Sequence, residues 1–198
     1  MVGAMDDNVT LSDGVVALRP FQMSDSEELT EAVRESIPEL TPWMSWSHDD
    51  YSETDTRNWI KSLPSGWAEG IKFTFAISDI QDGRLLGGCG LNHINPTYRF
   101  ANLGYWVRTS RTGEGIASRT VRLIASFAFE QVKLVRVEIV VAAGNYPSLR
   151  VAGKVAARRE GILRNRMLVG ENIYDGVMHS LIPQDYGIEL SKSAGTQR

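Results

Sequence analysis

The chain has 198 residues, a formal net charge of −3 and a single cysteine, Cys89. This length fits one domain with a core of its own. The slight acidity lacks the basic face of a nucleic-acid binder, and one cysteine excludes both an intrachain disulfide and a cysteine-based zinc site.

At 42% hydrophobic and 23% charged, the composition is that of an ordinary globular protein. No apolar run is long enough to cross a bilayer, so no membrane partner is expected. The opening residues lack the basic start and long apolar core of a secretory signal, and the expected location is the cytoplasm.

In chain order, Val15 to Leu18 reads as a first strand, closed by Arg19-Pro20. Ser24-Asp25 caps a helix through about Glu35, with acidic residues in its first turn. The stretch from Ile37 to Asp50 holds Pro38, Pro42, Trp43 and Trp46 and reads as an irregular aromatic segment. A second helix fits Ser52 to about Leu63. Lys72 to Ile80 alternates, with Phe73, Phe75 and Ile77 on one face. Asp82-Gly83 is a hairpin signal, and Arg84 to Ile94 returns, carrying Gly87, Gly88 and Gly90. Asn95-Pro96 turns the chain into a further strand, Phe100 to Val107.

The period then changes. Ile116, Leu123, Ile124 and Phe127 share one helical face, and Leu134 to Val141 is a β-branched strand. A helix followed by a strand at this point implies a parallel crossover. Pro147 opens a helix through about Ala157. Gly161 to Val169 and Val177 to Ile182 read as final strands around a turn at Gly176, and Ile188 to Arg198 as a polar tail. The expectation is an α+β protein with one mixed, mostly antiparallel sheet, helices on both faces and a parallel crossover in the middle. Its single domain spans 14–187, between an extension at 1–13 and a tail at 188–198.

The junction from Tyr105 to Ile124 carries the most chemistry. A strand ends in a loop with Gly113 and Gly115, and an amphipathic helix begins at once. Such a junction aims several N–H groups at one small volume, with the positive end of a helix dipole behind them, which suits a pyrophosphate. Arg108, Arg111, Arg119 and Arg122 surround it as possible phosphate partners. A plain turn with solvated arginines is the competing reading. The pattern is not G-x-G-x-x-G, since Ser118 takes the third glycine's place, and no P-loop lysine is present.

Four signals, in this order and spacing, carry a resemblance that covers about residues 14–186. They are Leu18-Arg19-Pro20; Gly104-Tyr105-Trp106-Val107; Gly113-Glu114-Gly115-Ile116-Ala117; and Asn145, Ser148 and Val151 followed by Lys154 and Glu160-Gly161. Together they resemble the GNAT superfamily of acetyl-CoA-dependent N-acetyltransferases, and within it the RimJ/RimL branch, which acetylates protein N-termini and related amines. The resemblance implies acetyl-CoA as co-substrate, no metal, and a direct attack by an amine acceptor.

It also assigns sites. Tyr105, Trp106 and Val107 orient the pantetheine arm, in the manner of strand addition. Arg111, Thr112, Gly113, Glu114, Gly115, Ile116 and Ala117 form the phosphate loop, with Asn145 also at the cofactor. Ser148 gives a proton to the departing sulfur, and Asn145 stands beside it. Trp43 and Trp46 border the acceptor. Family members are often dimers, so a homodimer is possible. Two departures stand out: Thr112 occupies the place of a family Gln or Arg, and Lys154-Val155-Ala156-Ala157 stands where the family often has Lys-x-Gly-Phe.

The residues themselves leave alternatives. Asn145 and Ser148, three apart at a helix start, can equally be a local cap. The acceptor amine must lose a proton, and an α-amino group titrates about 2.6 units below a lysine, or about 3.5 kcal/mol; an N-terminal amine can therefore react through a water relay. His93, on the strand after the glycines, is a candidate base, with a solvated strand-end histidine as the competing reading. His48 and His179 show no constellation, Glu138 is expected to pair with Arg136, and Cys89 reads as packing. The leading expectation is transfer of acetyl to a protein N-terminal amine. A small-molecule acceptor, an inactive CoA-binding sensor and a nucleotide-binding module are the alternatives.

Overall fold

The computed structural model describes residues 9–189. The expected extension and tail therefore lie mostly outside the described residues. Within them the order is β1 (Leu11–Ser12), β2 (Val16–Pro20), α1 (Ser26–Leu40), α2 (Glu53–Glu69), β3 (Phe73–Asp79), β4 (Leu85–Asn95), β5 (Phe100–Val107), α3 (Ile116–Glu130), β6 (Arg136–Ala142), α4 (Tyr146–Lys154), β7 (Arg158–Val169) and β8 (Asn172–Leu181). The strands form one sheet in the order β1-β2-β3-β4-β5-β6-β8-β7. Its β5–β6 pair is parallel, and α3 makes the crossover between them.

Alternation along β3 splits the core in two. Phe73, Phe75 and Ile77 face α3, where Phe73 and Phe75 meet Phe127 edge-on at centroid distances of 5.6 and 5.2 Å. Ala76 faces the other way, toward Leu29 and Val33 of α1 and Ile60 of α2. The sheet is thus covered on both faces, α1 and α2 on one side and α3 with α4 on the other.

Several boundaries differ from expectation for identifiable reasons. Helix α1 runs past Ile37 through Pro38 to Leu40, and α2 passes Pro64 to reach Glu69. A proline near a helix end removes only one ladder bond, and packing of the apolar face outweighs it. Ser52 starts α2 with a reciprocal capping box to Asp55. Asp25 precedes α1 without capping it by its side chain; the carboxylate is held by the Arg19 guanidinium through two 2.7 Å bonds.

The final turn is not at Gly176. That residue lies inside β8, opposite Ala142, and a Cβ there would meet Val140 Cγ1 at 2.8 Å. Its glycine serves close strand packing, whereas the reversal occurs at Gly170, with φ +58°. The α4 helix stops at Lys154 because Ala156 turns left-handed at φ +58°.

Candidate active site

Strands β5 and β6 pair only from Phe100 to Asn102 on one side and Arg136 to Glu138 on the other. Beyond that they separate, β6 remaining paired with β8 from Val137 to Ala142 and β5 with β4 as far as Val107. The N–H of Arg108 reaches Leu86 O on β4 at 2.8 Å, and that of Val135 reaches Arg99 O at 2.8 Å. Strand alternation between these points turns the main-chain groups of Leu103, Tyr105 and Val107 into the gap, and those of Gly104 and Trp106 toward β4. The gap therefore offers free strand edges to an extended amide-bearing ligand, whereas the main chain of Trp106 is paired with Gly88 on β4.

The loop after β5 is fastened to α1. Arg108 is buried, its side chain 3% exposed, and its guanidinium meets Glu31 at 2.7 Å and Glu35 on α1. Glu35 also accepts the Ser110 N–H at 2.6 Å, while Ser36 Oγ accepts that of Thr109 at 3.0 Å. Burial acts to raise the Glu35 pKa, but the bonds from Arg108 and Ser110 overcome it and hold the carboxyl down at about 2. Arg108 is thus a structural anchor, not one of the phosphate partners suggested by its proximity in sequence.

Past this anchor the chain forms a row of outward-facing amides. Gly113 and Gly115 have φ of +86° and +81°, a left-handed geometry that glycine adopts at little cost. A Cβ at either would meet nothing within 4 Å, so the space before them is open. Among the described residues, the N–H groups of Gly113, Glu114, Gly115, Ile116, Ala117 and Ser118 have no acceptor in the chain, and Arg119 makes the first bond of α3, to Gly115 O. Successive amides of this kind at a helix start form an anion nest.

The flanking side chains are partly engaged. Arg111 is held by Asp79 at 2.9 Å and by Glu114. Thr112, in the place where the family has Gln or Arg, closes the preceding turn by donating to Thr109 O at 2.9 Å. Arg119 pairs with Asp13 at 2.7 Å, and Arg122 donates to Lys154 O at 2.7 Å. Together with Lys154 and Tyr186, these arginines border an open groove beside the nest.

Across the gap, Asn145 Oδ1 accepts the Ser148 N–H at 3.2 Å and so caps α4. Ser148 Oγ lies 2.9 Å from the Tyr105 hydroxyl. Burial raises the Tyr105 pKa, opposed by the Ser148 bond, so the phenol holds its proton. This pair was not foreseen, because only the β5–α4 packing brings residues 105 and 148 together.

On the opposite face of the sheet, under α1 and α2, lies a cavity of about 420 Å³. Trp46, Tyr51, Trp59 and Trp106 line it over a floor that includes Gly88, Gly90 and Gly104. Tyr105 and Cys89 reach it from below. Trp43 stands outside, packed on Tyr174 at a centroid distance of 5.7 Å. His93 is exposed, in a left-handed conformation at a bulge in β4, and does not line the cavity. His48 does line it; its position two residues after Trp46 was the available signal. Cys89 is buried, and burial drives its thiol pKa well up. Glu138 and Glu160 both pair with Arg136, which leaves neither carboxylate free as a base.

No helix among the described residues is long and apolar enough to cross a membrane, and none of their His, Cys, Asp and Glu side chains group as metal ligands.

Comparison with known proteins agrees with this geometry. An N-acetyltransferase of Bacillus licheniformis, p20, itself uncharacterized, is 28% identical over 178 residues, covering 89% of this chain and 98% of that one. The ribosomal-protein-serine acetyltransferase of Escherichia coli (strain K12) is 27% identical over 134 residues, 68% of this chain and 73% of its own. The structure of Mycobacterium smegmatis RimJ, in complex with CoA-disulfide, superposes with a TM-score of 0.83 at 27% identity, covering 90% of this chain and 89% of that one. The family model described as the acetyltransferase (GNAT) domain matches residues 16–158. The chain belongs to the GNAT acetyltransferase family.

Proposed function

We propose that this protein transfers acetyl from acetyl-CoA to the α-amino group of a protein N-terminus. The observation that carries the reading is the junction of three features where β5 and β6 part in the middle of the sheet: the amide nest at Gly113–Ser118, the β5–β6 gap, and the Tyr105–Ser148 pair. A diphosphate fits the nest, and a pantetheine arm fits the free edges of Leu103, Tyr105 and Val107. Acetyl-CoA supplies an activated thioester at the far end of that arm.

The protein's part is positioning and proton supply. In this reading Ser148 Oγ donates to the departing sulfur, and the Tyr105 hydroxyl, 2.9 Å from it, restores the proton. No covalent acetyl-enzyme is invoked: Cys89 is buried and its thiol strongly disfavours ionisation. The cavity holds no carboxylate free to act as base, since Asp55 is engaged at the α2 cap by Ser52. This favours an acceptor that reacts with modest help, an α-amine ahead of a lysine. The similarity to the ribosomal-protein-serine acetyltransferase of Escherichia coli supports a protein acceptor. The size of the cavity, about 420 Å³, favours a second reading, a small-molecule amine. Among the sequence candidates, His93 receives no role here.

Thiol release from acetyl-CoA, measured against N-terminal peptides and small primary amines, tests the proposal. Release with peptides, abolished by blocking the peptide amine, is expected. CoA binding without release for any acceptor would overturn it in favour of a sensor.

A further inference from the structure

The acceptor cavity is large for the alanine or serine that an N-terminal acetyltransferase of ribosomal proteins would meet. Its volume of about 420 Å³ lies in the ~300–1,000 Å³ range of small-molecule pockets. Its walls are aromatic: Trp46 lies 6.0 Å from Trp106 at 57° and 6.2 Å from Tyr51 at 63°. Rings tilted in this way leave edges and faces for a further ring.

The floor gives an independent sign. Gly88 and Gly90 have reasons to be glycine within the fold, since a Cβ would come within 3.0 Å of Trp106 Nε1 at the first and 2.3 Å of Phe73 O at the second. Gly104 has none. A Cβ there would meet only Asn92 Nδ2, at an ordinary 3.9 Å, and its backbone is not left-handed. Glycine in a strand interior is otherwise unfavourable. What its missing side chain preserves is depth in the cavity, one residue from Tyr105.

Resting on the acetyltransferase reading above, we infer that the acceptor is a primary amine bearing a large apolar or aromatic substituent, seated over Gly104 against the packed Trp46–Trp106 pair. Among the described residues the lining holds one carboxylate, Asp55, which is engaged by Ser52 N and Oγ at 2.9 and 2.6 Å. A second cationic group on the acceptor therefore finds only an already bonded carboxylate as counter-charge, and Lys72 in the same lining opposes it. In the transfer, the amine nitrogen forms the new bond to the acetyl carbon and loses one proton to solvent. The carbon–sulfur bond breaks, and the sulfur takes a proton from Ser148, replenished through Tyr105.

The test compares kcat/KM for peptides differing only in their first residue (Ala, Ser, Leu, Phe, Trp), with ethylamine and phenethylamine as free amines. The full-length protein and a Gly104→Val variant are assayed. Phe and Trp are expected to exceed Ala and Ser by at least about tenfold, the scale of burying one large side chain. Gly104→Val should remove most of that preference while keeping its melting temperature and CoA affinity. Equal or better use of Ala and Ser by the native protein would overturn the inference, as would equal losses for large and small acceptors in the variant. Peptides outpacing phenethylamine would identify a protein N-terminus as the source of the ring, and the reverse a small molecule.

A binding arm separates this inference from the activity. With CoA-loaded protein, phenethylamine should raise the melting temperature more than ethylamine does. That result with no turnover of any acceptor would sink the acetyltransferase reading and leave the pocket assignment standing. No difference between the two amines would overturn the pocket assignment.

Discussion

Replacing Gly115 by alanine probes the nest without creating a clash. The position has φ +81°, and an added Cβ meets nothing within 4 Å, so the only penalty is the left-handed backbone, about 1–2 kcal/mol for a residue with a Cβ. The chain can carry that cost in two ways. If the loop keeps its shape, CoA affinity is preserved and the melting temperature falls by about 2–8 °C, at about 2–4 °C per kcal/mol for a chain of this size. If the loop relaxes, the Ile116 and Ala117 amides turn away, and CoA affinity drops by about 5- to 30-fold while the melting temperature is kept. Thr112, Gly113 and Glu114 are exposed between the buried anchors Arg108 and Ile116, which favours the second course, and calorimetric titration with CoA alongside thermal melts reads both. Gly115→Asn should recover much of the loss, since asparagine tolerates this region better. Native affinity and native melting temperature together in Gly115→Ala would refute the reasoning.

Other outcomes follow from the same geometry. Ser148→Ala should lower kcat by about 10²-fold or more with little change in CoA affinity, and Tyr105→Phe should lower it less, because it only restores the proton; steady-state thiol release at saturating acceptor checks both. Ala156→Gly should raise the melting temperature by about 2–4 °C, since Ala156 adopts φ +58° in the place of the family glycine and pays about 1 kcal/mol for it. Glu35 holds its carboxyl at about 2 when folded, below its ordinary value of 4.5. Its contribution is therefore present above about pH 4.5 and is lost as the pH falls toward 2. Solvent screening of this partly exposed group limits it to about 1 kcal/mol. Glu35→Gln should accordingly flatten the acid limb of melting temperature against pH.

Sequence carried the fold further than the chemistry. The alternation of Phe73, Phe75 and Ile77, the period change at Ile116 and the glycines of the loop are local signals, and each lies in the element they indicate. Pro38, Pro64 and Gly176 misled because their usual effects are local, while the packing that overrides them is tertiary. The role of Arg108 was hidden for the same reason: its partners Glu31 and Glu35 lie more than 70 residues away. Tyr105 and Ser148 are 43 residues apart, and no spacing rule joins them. The sequence pattern singled out His93 and left His48 without a constellation, yet His93 is exposed at a bulge in β4 while His48 lines the cavity. The separation of β5 from β6 has no sequence signal, since the extent of pairing between strands joined through a whole helix is a tertiary outcome.

The central claim is that the main-chain amides between Gly113 and Ser118 bind the diphosphate of CoA. Backbone amide exchange and chemical shifts of these residues, followed by NMR during titration with CoA, test it directly. The account predicts fast exchange in the free protein, with downfield shifts and slowed exchange at these amides on saturation. Saturating CoA binding that leaves all six amides unshifted and unprotected would contradict it.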